Sequence, residues 1–164
     1  QRFLKNKTLL RLRKDIQSTL TFKSEPASSS RQFKIFNELE VVVSDFDSML
    51  QILEALGFHR EQVYEKYREI FILDDTQLCL DTMPFGDFLE IEGSKSKIRE
   101  IAAKLELRWS DRILTNYLKI FEIIRKKENL AFSDVTFKNF MNRRVNTVDY
   151  LPLIRASNSK HDNA

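Results

Sequence analysis

The sequence has 164 residues, 42% of them hydrophobic and 13 of them Phe, which is enough to build the core of one folded domain and excludes a disordered chain. Charged residues make up 31% yet the net charge is only +3, so bulk charge gives no reason to expect a nucleic-acid partner. The single cysteine, Cys79, excludes an internal disulfide framework and fits a reducing compartment, the cytoplasm by default; no run approaches the roughly 18–20 apolar residues of a membrane span, and the opening QRFLKNKTLL has no signal-peptide character.

Alternation of Leu10 and Leu12 with Arg11 and Arg13 predicts a strand over 8–15, and alternation of Leu20 and Phe22 with Thr19, Thr21 and Lys23 predicts a second over 18–24. The short polar link between them suits a hairpin, and EPASSS, 25–30, is a small polar loop. FKIFNELEVVV, 33–43, reads as a third strand that puts Lys34, Phe36, Glu38, Glu40 and Val42 on one face. The period then changes. Phe46, Met49, Leu50, Leu53 and Leu56 recur at three and four, which predicts a helix capped by Ser44 or Asp45 and ended by Gly57. Strands are predicted over 65–73, 76–82 and 87–93, with DDT and MPFG as the turns. Residues 94–107 and 110–130 carry helical spacing behind serine caps, 134–140 reads as a further strand, and the tail 158–164 is expected to fray.

The polar faces of these strands share one character. Arg11, Arg13, Lys23, Lys34, Glu38, Glu40, Lys66, Arg68, Asp81, Glu90 and Glu92 all fall there, and the opposite faces offer Leu10, Leu20, Phe22, Leu39, Tyr67, Phe71, Leu80 and Leu89. Three amphipathic helices need apolar surface to cover, so the expected fold is α+β, with the helices outside and the sheet curled so that its charged faces line a polar, wet interior. Charges of both signs inside a protein need partners of both signs, and a polyphosphate with a divalent metal satisfies them together. Glu90 and Glu92 in FLEIEG lie two apart on one strand, about 6.5–7 Å, close enough to serve one hard cation such as Mg²⁺ or Mn²⁺.

Residues 65–93, with EKYREIFIL, QLCLDT and MPFGDFLEIEG, resemble the central signature of the CYTH domain family. These are the triphosphate tunnel metalloenzymes, which include class IV adenylate cyclases, thiamine triphosphatases and inorganic tripolyphosphatases. LLRLRK resembles the family's paired-arginine strand, LTFK its lysine strand, and FKIFNELEVVV its strand with a Glu-x-Glu pair. The resemblance spans roughly residues 8–125. It implies an antiparallel β-barrel, a tunnel, formed as a single domain over residues 1–157. It also implies phosphate contacts by Arg11, Arg13, Lys23, Lys34, Lys66 and Arg68, and ligation of Mg²⁺ or Mn²⁺ by Glu38, Glu40, Asp81, Glu90 and Glu92. The partner it implies is a triphosphate-containing small molecule, without nucleic acid or membrane, and it leaves a homodimer open. The family's opening strand, Glu-x-Glu-x-Lys, has no counterpart here, so the tunnel is expected to be one N-terminal strand short. Phe36 stands where relatives often carry Arg, which removes one phosphate contact.

The leading functional expectation is metal-dependent hydrolysis of a triphosphate compound: tripolyphosphate, a nucleoside triphosphate or thiamine triphosphate. An adenylate cyclase is the first alternative and a non-catalytic polyphosphate or nucleotide-binding module the second. An ordinary α+β scaffold with solvated outer charges is the bland rival. Cys79 has no adjacent His and reads as a packing residue, His59 and His161 as bystanders, and Trp109 as a packing anchor.

Overall fold

Residues of period two build six strands, paired into two three-stranded antiparallel sheets in the computed structural model, which describes residues 8–27, 30 and 32–156. The chain divides into two units, Gln1–Glu61 and Gln62–Ala164.

In the first unit β1 (Thr8–Arg13), β2 (Ser18–Ser24) and β3 (Asn37–Val43) form a meander in that order. The register sets Leu9, Lys23 and Glu38 side by side, then Arg11, Thr21 and Glu40, then Arg13, Thr19 and Val42, so one face collects the charges. β3 begins at Asn37, later than the predicted 33, which leaves Lys34 and Phe36 outside the strand. Helix α1 (Phe46–Ala55) starts where Asp45 accepts from the Ser48 amide at 2.5 Å. It stops at Gly57, whose φ of 87° lets the Gly57 and Phe58 amides donate to the Glu54 and Leu53 carbonyls.

In the second unit β4 (Tyr67–Leu73), β5 (Thr76–Met83) and β6 (Gly86–Glu92) form another meander. Asp74 and Asp75 both take positive φ, 48° and 58°, and make the tight two-residue link between β4 and β5. Helix α2 (Lys95–Lys104) follows behind a Ser94 cap, then a 3₁₀ turn at Trp109–Asp111 and helix α3 (Tyr117–Lys127). The predicted helix over 110–130 is thus shorter. Asn116 accepts from the Lys119 amide at 2.8 Å and starts the helix itself, in place of a serine at the segment's beginning. The predicted strand over 134–140 is corrected too: Val135 makes only an isolated parallel bridge to Tyr64, and Thr136 caps the short helix α4 (Phe137–Phe140). A 3₁₀ turn (Thr147–Tyr150) leads directly into α5 (Leu151–Ile154), where no strand forms.

The bridge belongs to a larger clasp. Val63 N–H donates to Asp134 Oδ1 at 2.9 Å, Val135 N–H to the Val63 carbonyl at 2.8 Å, and Glu65 N–H to the Val135 carbonyl at 2.9 Å. Phe137 N–H donates to Glu65 Oε2 at 2.8 Å, and Gln62 Nε2 to the Ser133 carbonyl at 2.5 Å.

The core of this unit is aromatic. Phe85, Phe121 and Phe140 are buried with Met83, Ile120, Ile124, Leu130, Val135 and Ile154, and Phe121 lies 6.3 Å from Phe85 and 6.0 Å from Phe140, ring to ring. Phe88 and Tyr117, 5.0 Å apart, extend this cluster onto the charged face of the sheet. That reverses the expectation for this unit, because α3 packs on the face that carries Asp81, while Tyr67, Phe71, Leu80 and Leu89 on the opposite face are exposed. Each sheet is an open meander among the described residues, and the predicted barrel is not closed within either unit. The predicted frayed tail and the segment ahead of Thr8 lie outside the described residues. No described helix is long and apolar enough to cross a membrane.

Candidate functional site

Five of the predicted residues meet on the second unit's sheet. Arg68, Asp81 and Phe88 are cross-strand partners, and Glu90 and Glu92 follow at two-residue steps along β6 on the same face. Lys66 precedes β4. Asp81 is the hub: it is 1% exposed and accepts four hydrogen bonds. Arg68 Nε donates to its Oδ1 at 2.5 Å, and Arg68 Nη2, Lys66 Nζ and the Tyr117 hydroxyl donate to its Oδ2 at 2.6, 2.8 and 2.8 Å. The other side of the guanidinium turns to β6, where Nη2 contacts Glu90 Oε2 and Nη1 lies 3.5 Å from Glu92 Oε1.

The electrostatics follow from this geometry. Burial opposes a charge on Asp81, but hydrogen bonds from Arg68, Lys66 and Tyr117 outweigh it and hold the carboxyl below the usual carboxylate range. Burial likewise opposes a charge on Arg68, and the bond to Asp81 with the charges of Asp81 and Glu90 outweighs it, raising the guanidinium further and keeping it protonated. Burial and the negative charges of Glu90 and Asp81 push the Tyr117 hydroxyl well above its ordinary value, so it remains a donor. Lys66 Nζ also sits 5.7 Å from the Tyr117 ring centroid.

The first unit holds the other predicted residues on its own strand face. Lys23 Nζ pairs with Glu38 Oε1 at 2.6 Å, Thr21 donates to Glu40 Oε2 at 2.5 Å, and Arg11 Nη2 reaches Thr21 Oγ1 at 3.5 Å. The Thr21 hydroxyl lowers the Glu40 carboxyl against slight desolvation, with Arg13, Arg11 and Lys23 adding to it. Arg13 Nε and Thr19 Oγ1 are buried without a hydrogen-bond partner among the described residues. Lys34 does not join this face. It precedes β3, and its ammonium lies 5.9 Å from the centroid of the Phe36 ring.

The donor set is hard oxygen, which suits a divalent cation of the Mg²⁺ class, but among the described residues no three of the His, Cys, Asp and Glu side chains are arranged to hold one. The Glu90 and Glu92 side chains are 30% and 53% exposed and open to an incoming ion, whereas both Asp81 oxygens are already taken. Tyr117 is the residue that sequence reasoning missed. Its only sequence signal is Asn116, a helix cap directly before it.

Comparison with known proteins bears on the family of the chain. A family model described as the CYTH domain matches residues 1–136. A Methanocaldococcus jannaschii protein named "Putative adenylate cyclase MJ0240" is 29% identical over 112 residues, which cover 68% of this chain and 57% of that protein, so the chain spans little over half of this curated relative. Among solved structures, the PH1012 protein from Pyrococcus horikoshii OT3 is 30% identical with a TM-score of 0.61, over 68% of this chain and 73% of that one. A conserved hypothetical protein from Pyrococcus furiosus is 26% identical with a TM-score of 0.58, over 68% and 74% of the two chains.

Proposed function

The chain belongs to the CYTH domain family, and from that premise we propose that it binds a triphosphate compound and hydrolyses it with the help of a divalent cation, residues 1–157 acting as one functional domain. The observation that carries this reading is the convergence of Lys66, Arg68, Glu90 and Glu92 around buried Asp81. Solvated outer charges would point apart instead, so this convergence counts against the bland scaffold.

Arg68 already spans carboxylates in a forked geometry, and a phosphate group offers that fork the same pattern of acceptors. An arriving phosphate would replace Glu90 and Glu92 on the guanidinium and free them. In the second unit Glu90 and Glu92, and on the first unit's own strand face Glu38 and Glu40, are the residues that would hold Mg²⁺ or Mn²⁺, whose charge would neutralise phosphates and lower the pKa of a bound water. Within the first unit, Arg11, Arg13 and Lys23 on its strand face, with Lys34 in the loop ahead of β3, are the residues that would contact phosphate. For hydrolysis, water attacks a terminal phosphorus in line, a P–O–P bond breaks, and Lys66 and Arg68 meet the charge of the departing oxyanion. The chain needs no covalent nucleophile, consistent with a Cys79 that is buried and accepts from Gln77 Nε2 at 3.2 Å.

The name of the Methanocaldococcus relative favours a second reading, adenylate cyclase, in which the ribose 3′-hydroxyl attacks the α-phosphorus and pyrophosphate leaves. One experiment separates the readings. The full chain is incubated with tripolyphosphate, ATP or thiamine triphosphate, each with Mg²⁺ or Mn²⁺ and each with excess chelator. Chelator-sensitive orthophosphate selects the hydrolase, and cyclic AMP with pyrophosphate selects the cyclase. Metal-dependent binding without product selects a binding module. Absence of product, with ligand binding unchanged in Glu90→Gln and Glu92→Gln, refutes the assignment.

A further inference from the structure

Asp81 stands apart from the other carboxylates of the site. A carboxylate offers about four lone-pair positions. Asp81 receives four donors within hydrogen-bond distance, its side chain is fully buried, and one donor comes from a helix more than thirty residues away. The Glu90 and Glu92 side chains keep exposed surface, and among the described residues their cationic contact is Arg68. A metal ion at Asp81 would have to displace the Arg68 fork, Lys66 or Tyr117.

We infer that Asp81 is a positioning residue and not a metal ligand, and that the Tyr117 hydroxyl completes it: together they fix Lys66 and Arg68 in the orientation that receives a phosphate group. Tyr117 is held in turn by α3, by its contact with Phe88, and by the cap at Asn116. Its hydroxyl donates to Oδ2 at 2.8 Å, beside the Glu90 carboxylate on the same face, and so helps to aim Oδ2 at the cations. The inference deepens the triphosphate reading and rests on it for the identity of the anion, but the ordering of the cations can be measured without any reaction.

The test uses the full chain and three variants, Asp81→Asn, Tyr117→Phe and Glu92→Gln. Binding of Mn²⁺ alone is followed by the electron paramagnetic resonance of the free ion. Asp81→Asn and Tyr117→Phe should keep the affinity within about twofold, and Glu92→Gln should lower it about tenfold or more. A tenfold loss in Asp81→Asn makes Asp81 a ligand and overturns the inference. Hydrogen exchange of the Arg68 Nε–H, read by nitrogen-15 NMR, should be slow in the parent and at least about fivefold faster in Tyr117→Phe. An Nε–H unchanged by loss of the hydroxyl also overturns it. If the parent turns over a triphosphate, Tyr117→Phe should lower kcat about tenfold without changing the Mn²⁺ concentration for half-activity, a split that general loosening of the fold would not give. A parent that binds Mn²⁺ yet turns over no triphosphate defeats the hydrolase reading and leaves this inference to the first two measurements. In a parent that binds no Mn²⁺, the Arg68 signal alone decides.

Discussion

Replacing Asp81 with Asn tests the hub of the second unit with almost no change of shape. Removing one partner of a fully buried ion pair costs about 3–5 kcal/mol, because the other charge is left behind. Here the stranded cations are not fully buried. The Lys66 and Arg68 side chains retain 16% and 21% of their exposure, and Arg68 keeps Glu90 and Glu92. The loss should therefore be about 2–3 kcal/mol, which for a chain of this size lowers Tm by roughly 4–12 °C. The pH dependence follows from the depressed Asp81 pKa. A carboxyl lowered on folding contributes stability above its unfolded value, about 3.9, and loses it as pH falls through the lower folded value. Urea titrations followed by circular dichroism should thus show the full difference between parent and variant at pH 7. That difference should shrink once the pH drops below about 4. A variant within about 0.5 kcal/mol of the parent at pH 7, or a gap that stays constant down to acid, would refute the assignment of Asp81 as the charged hub.

Other substitutions probe the frame around it. Phe121→Ala opens a space among Phe85, Phe132 and Phe140 and should cost about 3–5 kcal/mol in a denaturant titration. Gly86→Ala must hold a φ of 150° and drive its Cβ into the Thr147 hydroxyl, which donates to the Phe85 carbonyl; a loss of about 1–3 kcal/mol is expected. Adding Thr147→Ala should recover only the steric part of that loss, as read by Tm. Tyr150, pushed up to about 12 by the Glu128 carboxylate it donates to and by burial, should stabilise the fold below its unfolded value near 10 and lose that contribution as pH rises through the folded value. Alkaline unfolding monitored by tyrosinate absorbance should lose that phase in Tyr150→Phe.

The charged strand faces were legible because alternation is a local property: given strands over 67–73, 76–83 and 86–92, Arg68, Asp81, Glu90 and Glu92 must share a side. Turn chemistry was legible for the same reason, at Asp74–Asp75 and at Gly57. What alternation cannot give is which partner each charge takes. Five carboxylates look alike in sequence, yet Glu40 bonds Thr21, Glu38 bonds Lys23, and Asp81 collects four donors. That ranking depends on where α3 begins, and Asn116 competes there with Ser110 as the cap. The segment around Val135 failed for a related reason. Its β-branched residues suit a strand, but Thr136 caps a helix at once and only one bridge forms.

The clasp between 62–65 and 133–137 bears on how the second unit assembles. Its hydrogen bonds link residues about seventy positions apart, so the meander and both longer helices lie inside the loop that it closes. Closing so large a loop costs entropy that only the finished neighbours can offset, which places this event late and makes it slow compared with the local hairpins. On a ribosome the entry to β4 cannot be fastened until Val135 has been made. Any cleavage between α3 and Val135 would leave the segment 133–137 joined to the strand entry beside Lys66 by non-covalent contacts alone.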